Sequence, residues 1–323
     1  MIGGSCSTQG IASSRRSSQE TNSPSHKGRG SLFLVGGRRG FIQGGSAAAG
    51  RWSTRNDRRR RCRGAQTTAG RHDRSFAVTG KIYVGIGGWT YEPWRGTFYP
   101  EGLPHKRELE FASRKLTSIE INGTYYSTFK PASWAKWREE TPEGFVFSVK
   151  ASRFCTNRKQ LATATDAVTR FVGQGLGTLG DRLGPINWQF MATKQFDPDD
   201  LQSFLTLLPR EIDGLRLRHA LEVRHPSFKD ARFYDLARRH NVAIVFADDD
   251  DFPAIDEPTT DFTYARLMRT QETIATGYAA ADLARWSKRA KAWTKRGDVF
   301  VYFISGAKVR APAAAQALIA RLA

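Results

Sequence analysis

The sequence predicts an α/β protein: a single (β/α)8 TIM barrel preceded by a basic, disordered N-terminal segment. Three observations point there. From Lys81 onward, short apolar runs alternate with amphipathic stretches, the pattern of repeated βα units. Eight such runs fit into about 240 residues, the usual size of this barrel. Several runs end in charged residues, and the C-terminal strand ends of such barrels are where active sites lie. A doubly wound open sheet is the structural alternative, because alternation alone does not close a barrel.

Strands are expected at Ile82–Gly87, Ser118–Asn122, Phe145–Lys150, Ile186–Phe190, Ala220–Arg224, Val242–Asp248, Phe262–Leu267 and Val299–Phe303. Helices are expected near Lys106–Lys115, Ala132–Glu139, Thr163–Leu179, Asp199–Leu208, Ala231–His240, Ala279–Arg296 and Pro312–Leu322. Only the link Asp249–Asp261 lacks a clear helix.

Strand side chains alternate between faces, so each strand can be read for its inner residues. Gly85, Gly87 and Gly88 lack dinucleotide-binding spacing and are read as room for the first strand at the barrel axis. In Ser118–Asn122 the isoleucines fit the helix-facing side, so Glu120 and Asn122 point inward. In Phe145–Lys150 the inner face ends in Lys150. In the fourth strand Trp188 and Gln189 straddle the parity, which leaves the inner residue open. In the fifth, Leu221 and Val223 pack outward and leave Glu222 and Arg224 inside, followed by His225 and Pro226. Opposite charges on a buried face are costly unless they are paired or used. The sixth strand runs into Asp248, and in the seventh Tyr264 and Arg266 share a parity.

The chain has 323 residues, 40% hydrophobic and 25% charged, ample for a large core. Its formal net charge of +19 is unevenly spread. Residues 1–79 hold 15 Lys+Arg against 3 Asp+Glu, a net of +12; the remainder holds 35 against 28, a net of +7. The leading segment is rich in Ser, Gly and Arg, includes the run Arg58–Arg61, and shows no sustained period. It is expected to be disordered: a solvated tail, or upstream sequence translated from a misplaced start. A nucleic-acid arm or a targeting peptide are its functional readings. Residues 80–323 form the expected barrel domain. Cys6, Cys62 and Cys155 have no metal-ligand spacing, so neither a disulfide framework nor a thiolate site is expected. No apolar run approaches the ~20 residues of a membrane span. A cytoplasmic protein without membrane contact is the expectation.

The candidate catalytic residues are Glu120, Glu222, His225 and Asp248; the candidate ligand-binding residues are Trp89, Asn122, Tyr125, Lys150, Arg224 and Arg266. Each has a plain alternative. Any one strand-end charge can belong to an internal salt bridge, and Glu222 with Arg224 or Arg266 can be a paired scaffold. The aromatics Trp89, Tyr91, Trp94, Phe98, Tyr99, Tyr125 and Tyr126 can wall a ring-bearing ligand or cap the barrel as core. His225 can act as an acid or base, or be bonded within its loop. No histidine pair has metal-like spacing, and neither a metal nor a cofactor is expected. A carboxylate-bound Mg²⁺ or Mn²⁺ at Glu120, Glu222 and Asp248 is the one arrangement left open. The run Asp248–Asp251 reads as a solvated loop with Asp248 alone facing the site.

A set of motifs runs from about Ile82 to the end. It begins with Gly87-Gly88-Trp89-Thr90-Tyr91, with Trp94, Gly96, Phe98, Tyr99 and Pro100. It continues in Ile119-Glu120-Ile121-Asn122 with Tyr125-Tyr126, in Gly144–Lys150, in Glu222-Val223-Arg224-His225 and in Tyr264-Ala265-Arg266-Leu267. Tyr302-Phe303 and the tail from Lys308 to Leu318 complete it. By these motifs the chain resembles the family called domain of unknown function 72, or YecE-like, and the resemblance implies a (β/α)8 barrel. Where members carry Thr-His after the third strand this chain reads Thr156-Asn157; where they have Asn-Asp after the last strand it reads Ser305-Gly306. A role of that histidine in chemistry would be lost here or pass to His225.

The expected function is binding of a small anionic organic ligand at the C-terminal rim. Arg224 and Arg266 would clamp a phosphate or carboxylate. Glu222 or Glu120, with His225, would supply acid–base chemistry of a hydrolase, lyase or isomerase type. Nucleic-acid binding or processing is the main alternative, and a ligand sensor without turnover is a third.

Overall fold

Because faces alternate along a strand, each strand sorts its side chains between the barrel axis and the helical layer. A computed structural model, which describes residues 80–323, shows the outcome. The expectations for residues 1–79 lie outside the described residues. Four strands stand side by side in parallel: β1 (Ile82–Gly87), β2 (Ser118–Ile121), β3 (Val146–Lys150) and β4 (Leu183–Gln189). A small antiparallel hairpin, β5 (Glu211–Ile212) with β6 (Leu215–Arg216), precedes β7 (His219–Glu222). β8 (Ala243–Ile244) and β9 (Phe246–Asp248) are two halves of one segment interrupted at Val245. β10 (Phe262–Leu267) and β11 (Asp298–Phe303) follow.

The sheet order is β8-β7-β4-β3-β2-β1-β11-β10-β9. β8 pairs with β7 and β9 pairs with β10, both in parallel. The single segment Ala243–Asp248 thus joins the two ends of the sheet, and the open-sheet alternative is set aside.

The helices are α1 (Glu108–Ser113), α2 (Pro131–Glu140), α3 (Arg153–Thr156), α4 (Thr165–Val172), α5 (Pro198–Leu207), α6 (Ala231–Arg239), α7 (Ala280–Trp293) and α8 (Ala311–Leu322). The stretch expected as one helix over Thr163–Leu179 is broken. Its α-helical part ends at Val172, and a 3-10 stretch runs over Leu176–Arg182. Gly173 and Gly175 supply the break, Gly175 with φ of 113°. α3 was not foreseen; Ser152 caps it by accepting from the Phe154 amide. The link Asp249–Asp261 carries no helix, as its sequence suggests. Among the described residues no helix is long and apolar enough to cross a membrane.

Two hydrophobic clusters result. The larger lies between strands and helices and includes Ile119, Ile121, Trp188, Leu221 and Val223. The smaller fills the barrel axis with Val146, Ala220, Val245, Phe262, Tyr264, Phe300 and Tyr302. Inside the axis, polarity rises toward the strands' C-terminal ends. Tyr83 stacks on Phe300 near the N-terminal end, with ring centroids 4.9 Å apart. In the middle, the hydroxyls of Ser118 and Tyr302 lie 2.7 Å apart, as do those of Ser148 and Tyr264. Charged groups follow above them. Gly85 makes this inner packing possible at β1, since a Cβ there would fall 1.9 Å from the Ser118 carbonyl oxygen.

Candidate functional site

The inner parity of four strands, β2, β4, β7 and β10, brings Glu120, Asn187, Gln189, Glu222, Arg224 and Arg266 into one bonded ring at the C-terminal end. Arg266 is its hub. Its Nη2 donates to Glu120 Oε1 at 3.2 Å and its Nη1 to Glu222 Oε2 at 2.5 Å. Asn187 Nδ2 donates to both carboxylates, at 3.3 Å to Glu120 and 3.1 Å to Glu222. Arg224 donates to Glu222 Oε1 from Nε at 2.9 Å and from Nη2 at 2.7 Å. Gln189 Oε1 accepts from Arg224 at 2.8 Å and from Arg266 at 3.4 Å. The Tyr264 hydroxyl donates to Glu120 Oε2.

Electrostatics follow from this geometry. Burial alone would raise the Glu222 carboxyl, but the charges of Arg266, Arg224 and Lys150 overcome it and hold the group down at about 2. Burial opposes charge on Arg266 as well, yet Glu120 and Glu222 raise it above its ordinary value. Burial pushes the Tyr264 hydroxyl well up, and the Glu120 charge adds to that. Tyr264 therefore stays protonated, and donates.

Lys150 stands beside this ring without joining it. Its Nζ lies 4.5 Å from the centroid of the Tyr125 ring. Burial, then the Arg266 charge, lower its ammonium to about 8. The Tyr125 hydroxyl accepts from the Asn157 side-chain amide at 3.0 Å. Asn157 thus positions the ring under Lys150 at the place where relatives were expected to carry a histidine. Asn122 sits one step beyond the paired Ile121 and Val149, on the same parity as Lys150. Its Oδ1 is buried without a partner, as are Asn187 Oδ1 and Arg266 Nε.

Other expected site residues lie elsewhere. Asp248 follows Phe246 on the helix-facing parity; it accepts from the Tyr278 hydroxyl at 3.0 Å and pairs with Arg269 at 2.9 Å. It makes no bond to the ring, which corrects the expectation that it faces the site. His225 caps a 3-10 turn: its Nδ1 accepts from the Ser227 amide at 3.2 Å and lies 2.8 Å from the Ser227 hydroxyl. Trp89 packs edge-on against Trp137, with centroids 5.2 Å apart, and tilts against Phe147 on the helix side. It is half-buried and packs against the core. Arg266 is 2% exposed, so its expected role as an anion clamp is not open to it. Among the described residues no group of three or more His, Cys, Asp and Glu is arranged to hold a metal ion.

Three ring members carried no role in the sequence reading: Asn187, Gln189 and Tyr264. The clue to the first two was Trp188. Its indole donates to His219 Nδ1 at 3.0 Å and its ring packs edge-on against Phe171 and Phe204. With Trp188 outside, both neighbours must face in.

The family model described as "Protein of unknown function DUF72" matches residues 83–323, nearly the whole described region. The chain belongs to the DUF72 family. UPF0759 protein YecE of Escherichia coli (strain K12) is 31% identical over 150 residues, 46% of this chain and 50% of that protein. UPF0759 protein YunF of Bacillus subtilis (strain 168) is 29% identical over 79 residues, 24% of this chain and 27% of that protein. The matches thus span half or less of these curated relatives' length. A crystal structure of a DUF72 family protein from Thermotoga maritima superposes with a TM-score of 0.59 at 23% identity, covering 74% of this chain and 97% of that one. One from Enterococcus faecalis gives 0.58 at 17% identity, covering 76% and 99%. These likenesses establish the DUF72 fold.

Proposed function

We propose that the rim of this barrel binds a small anionic organic molecule and carries it through an acid–base step of the hydrolase, lyase or isomerase kind. The observation that carries the reading is Lys150. Three cations, Lys150, Arg224 and Arg266, surround two buried carboxylates, Glu120 and Glu222. Arg266 is spent on both carboxylates and Arg224 largely on Glu222. Among the described residues Lys150 Nζ has neither an ion-pair nor a hydrogen-bond partner. The anion-binding role expected of Arg266 therefore passes to Lys150, with Arg224, whose Nη1 makes no hydrogen bond among the described residues, as the second cation. Glu222, held as a carboxylate, fixes the arginines rather than moving protons. The group that exchanges a proton near neutral pH is Lys150. A cytoplasmic setting is part of the reading, in keeping with the free, buried thiol of Cys155.

Thermal-shift measurements with inorganic phosphate, malate and citrate test this. A ligand at about 100 times its Kd adds about 2.7 kcal/mol, several degrees for a domain of this size. The shift is expected in the wild type and lost in Lys150→Met. If none of the three anions shifts the wild type at millimolar concentration, the reading fails. Turnover in a substrate screen then separates an enzyme from a sensor.

One observation favours nucleic-acid binding as a second reading. Tyr126 and Phe154 are 64% and 61% exposed, and Arg153 lies over both rings, at 5.8 and 5.4 Å. They border a groove of about 630 Å³ that Arg158 and Arg170 also line. Aromatic rings interleaved with arginines suit stacked bases and phosphates. Binding of a single-stranded oligonucleotide that weakens steeply with salt would support it; salt-independent binding, or none, would remove it.

A further inference from the structure

Lys150 is the last residue of β3 and faces the barrel axis. The strand end is pinned, because the Thr124 hydroxyl donates to the Lys150 carbonyl at 2.6 Å. The side chain is only partly buried at the C-terminal end of the strand. A buried charge kept only for structure is usually paired. Here both nearby carboxylates already accept from Arg266 and Asn187, with Arg224 or Tyr264 added. The amine rests instead on the Tyr125 ring. One residue past the end of β2, Asn122 offers a buried, unpartnered Oδ1 that can accept from a hydroxyl formed next to Nζ. Arg224 Nη1, which makes no hydrogen bond among the described residues, can hold an anionic end of the same molecule.

We infer that Lys150 is an imine-forming amine, and that the rim takes a small carbonyl compound bearing a carboxylate or a phosphate. The inference rests on the anion-binding reading for the ligand's charged end. The free amine attacks the carbonyl carbon, and the carbonyl oxygen takes up a proton to give a carbinolamine. Loss of that oxygen as water leaves the iminium. Overall, one ammonium and one carbonyl give one iminium and one water, with no oxidant or reductant. The positive charge is conserved, so Glu120 and Glu222 face the same net charge before and after. Holding the ammonium at about 8 rather than 10.5 raises the free-amine fraction at neutral pH on the order of a few hundred-fold.

The test incubates the full chain with pyruvate or with dihydroxyacetone phosphate in the presence of cyanoborohydride. Hydride from the reagent converts an iminium into a stable secondary amine, which peptide mapping locates. The expected result is an adduct concentrated on Lys150, more than ten-fold above any exposed lysine, and lost in Lys150→Arg. The wild-type map decides the matter even where the variant folds poorly. No adduct with either probe, or one spread evenly over the exposed lysines, overturns the inference. A parallel thermal shift with inorganic phosphate keeps the two readings apart. A shift without an adduct leaves anion binding and removes the imine; an adduct without a shift supports the imine and removes the general anion site. Neither signal removes both.

Discussion

Replacing Glu222 by Gln probes the ring at its most connected acceptor. Both carboxylate oxygens face only donors: Oε1 accepts twice from Arg224, and Oε2 accepts from Arg266 and Asn187. Glutamine offers one oxygen, so its amide NH₂ meets donors in either orientation. Arg266, 2% exposed, then keeps one carboxylate instead of two. Breaking a buried ion pair by removing one partner typically costs ~3–5 kcal/mol. Linkage gives an independent figure. Glu222 is held at about 2 against its usual 4.5, a depression worth roughly 3 kcal/mol. The sign is that of a depressed acid. The stabilisation is complete above about pH 4.5 and is lost as pH falls toward 2. Glu222→Gln is therefore expected to lower the melting temperature at pH 7 by about 10 °C. The gap between variant and wild type is expected to narrow as pH drops through that window. Thermal unfolding at pH 7, and urea denaturation at pH 7 and at a series of acidic pH values, measure the two effects. A variant within about 1 kcal/mol of wild type at pH 7, or a gap constant down to pH 2, would refute the ring as a source of stability.

Three further outcomes follow from the same geometry. Tyr264→Phe removes the hydroxyl that donates to Glu120 and meets Ser148; a loss of ~1–3 kcal/mol in urea denaturation is expected, and no loss would mean that the bond is not formed in solution. Gly87→Ala would place a Cβ 2.5 Å from Asn122 Nδ2, the far end of a side chain that can turn away. It is expected to leave the fold and the phosphate-induced thermal shift intact and to reduce the trapped adduct on Lys150; an undiminished adduct would detach Asn122 from the ligand. Asp248→Asn is expected to leave that shift unchanged, since Asp248 bonds Tyr278 and Arg269 outside the ring; loss of the shift would show that the partition of the rim is wrong.

Much of this arrangement is legible from alternation alone. Ile119, Ile121, Leu221 and Val223 are apolar enough to fix which face of their strands meets the helices, and the charged alternates then fall inside. The same rule applied to Phe246 places Asp248 outside; a run of four aspartates drew attention to the residue type rather than to its parity. Trp188 hid two ring members because a large aromatic fits either the axis or the helical layer, and only its packing against Phe171 and Phe204 decides. Which charges pair could not be read locally. Arg266 lies 146 residues from Glu120 and 44 from Glu222, and only closure of the sheet brings them within reach. The lone stance of Lys150 follows from that pairing and was equally out of view. The broken helix after Thr165 was signalled by its glycines, which an apolar period alone overlooks.

The interrupted segment Ala243–Asp248 gives the cylinder a thin stave. It holds β7 at two paired positions and β10 at three, whereas β10 and β11 share six. Glu222 ends β7 and Arg266 lies near the end of β10, so the bond between them reaches across that stave from inside. The ion pair is thus a clasp on the weakest joint of the wall. If it is undone, amide exchange is expected to quicken first at Ile244 and Val245, before the rest of the cylinder opens.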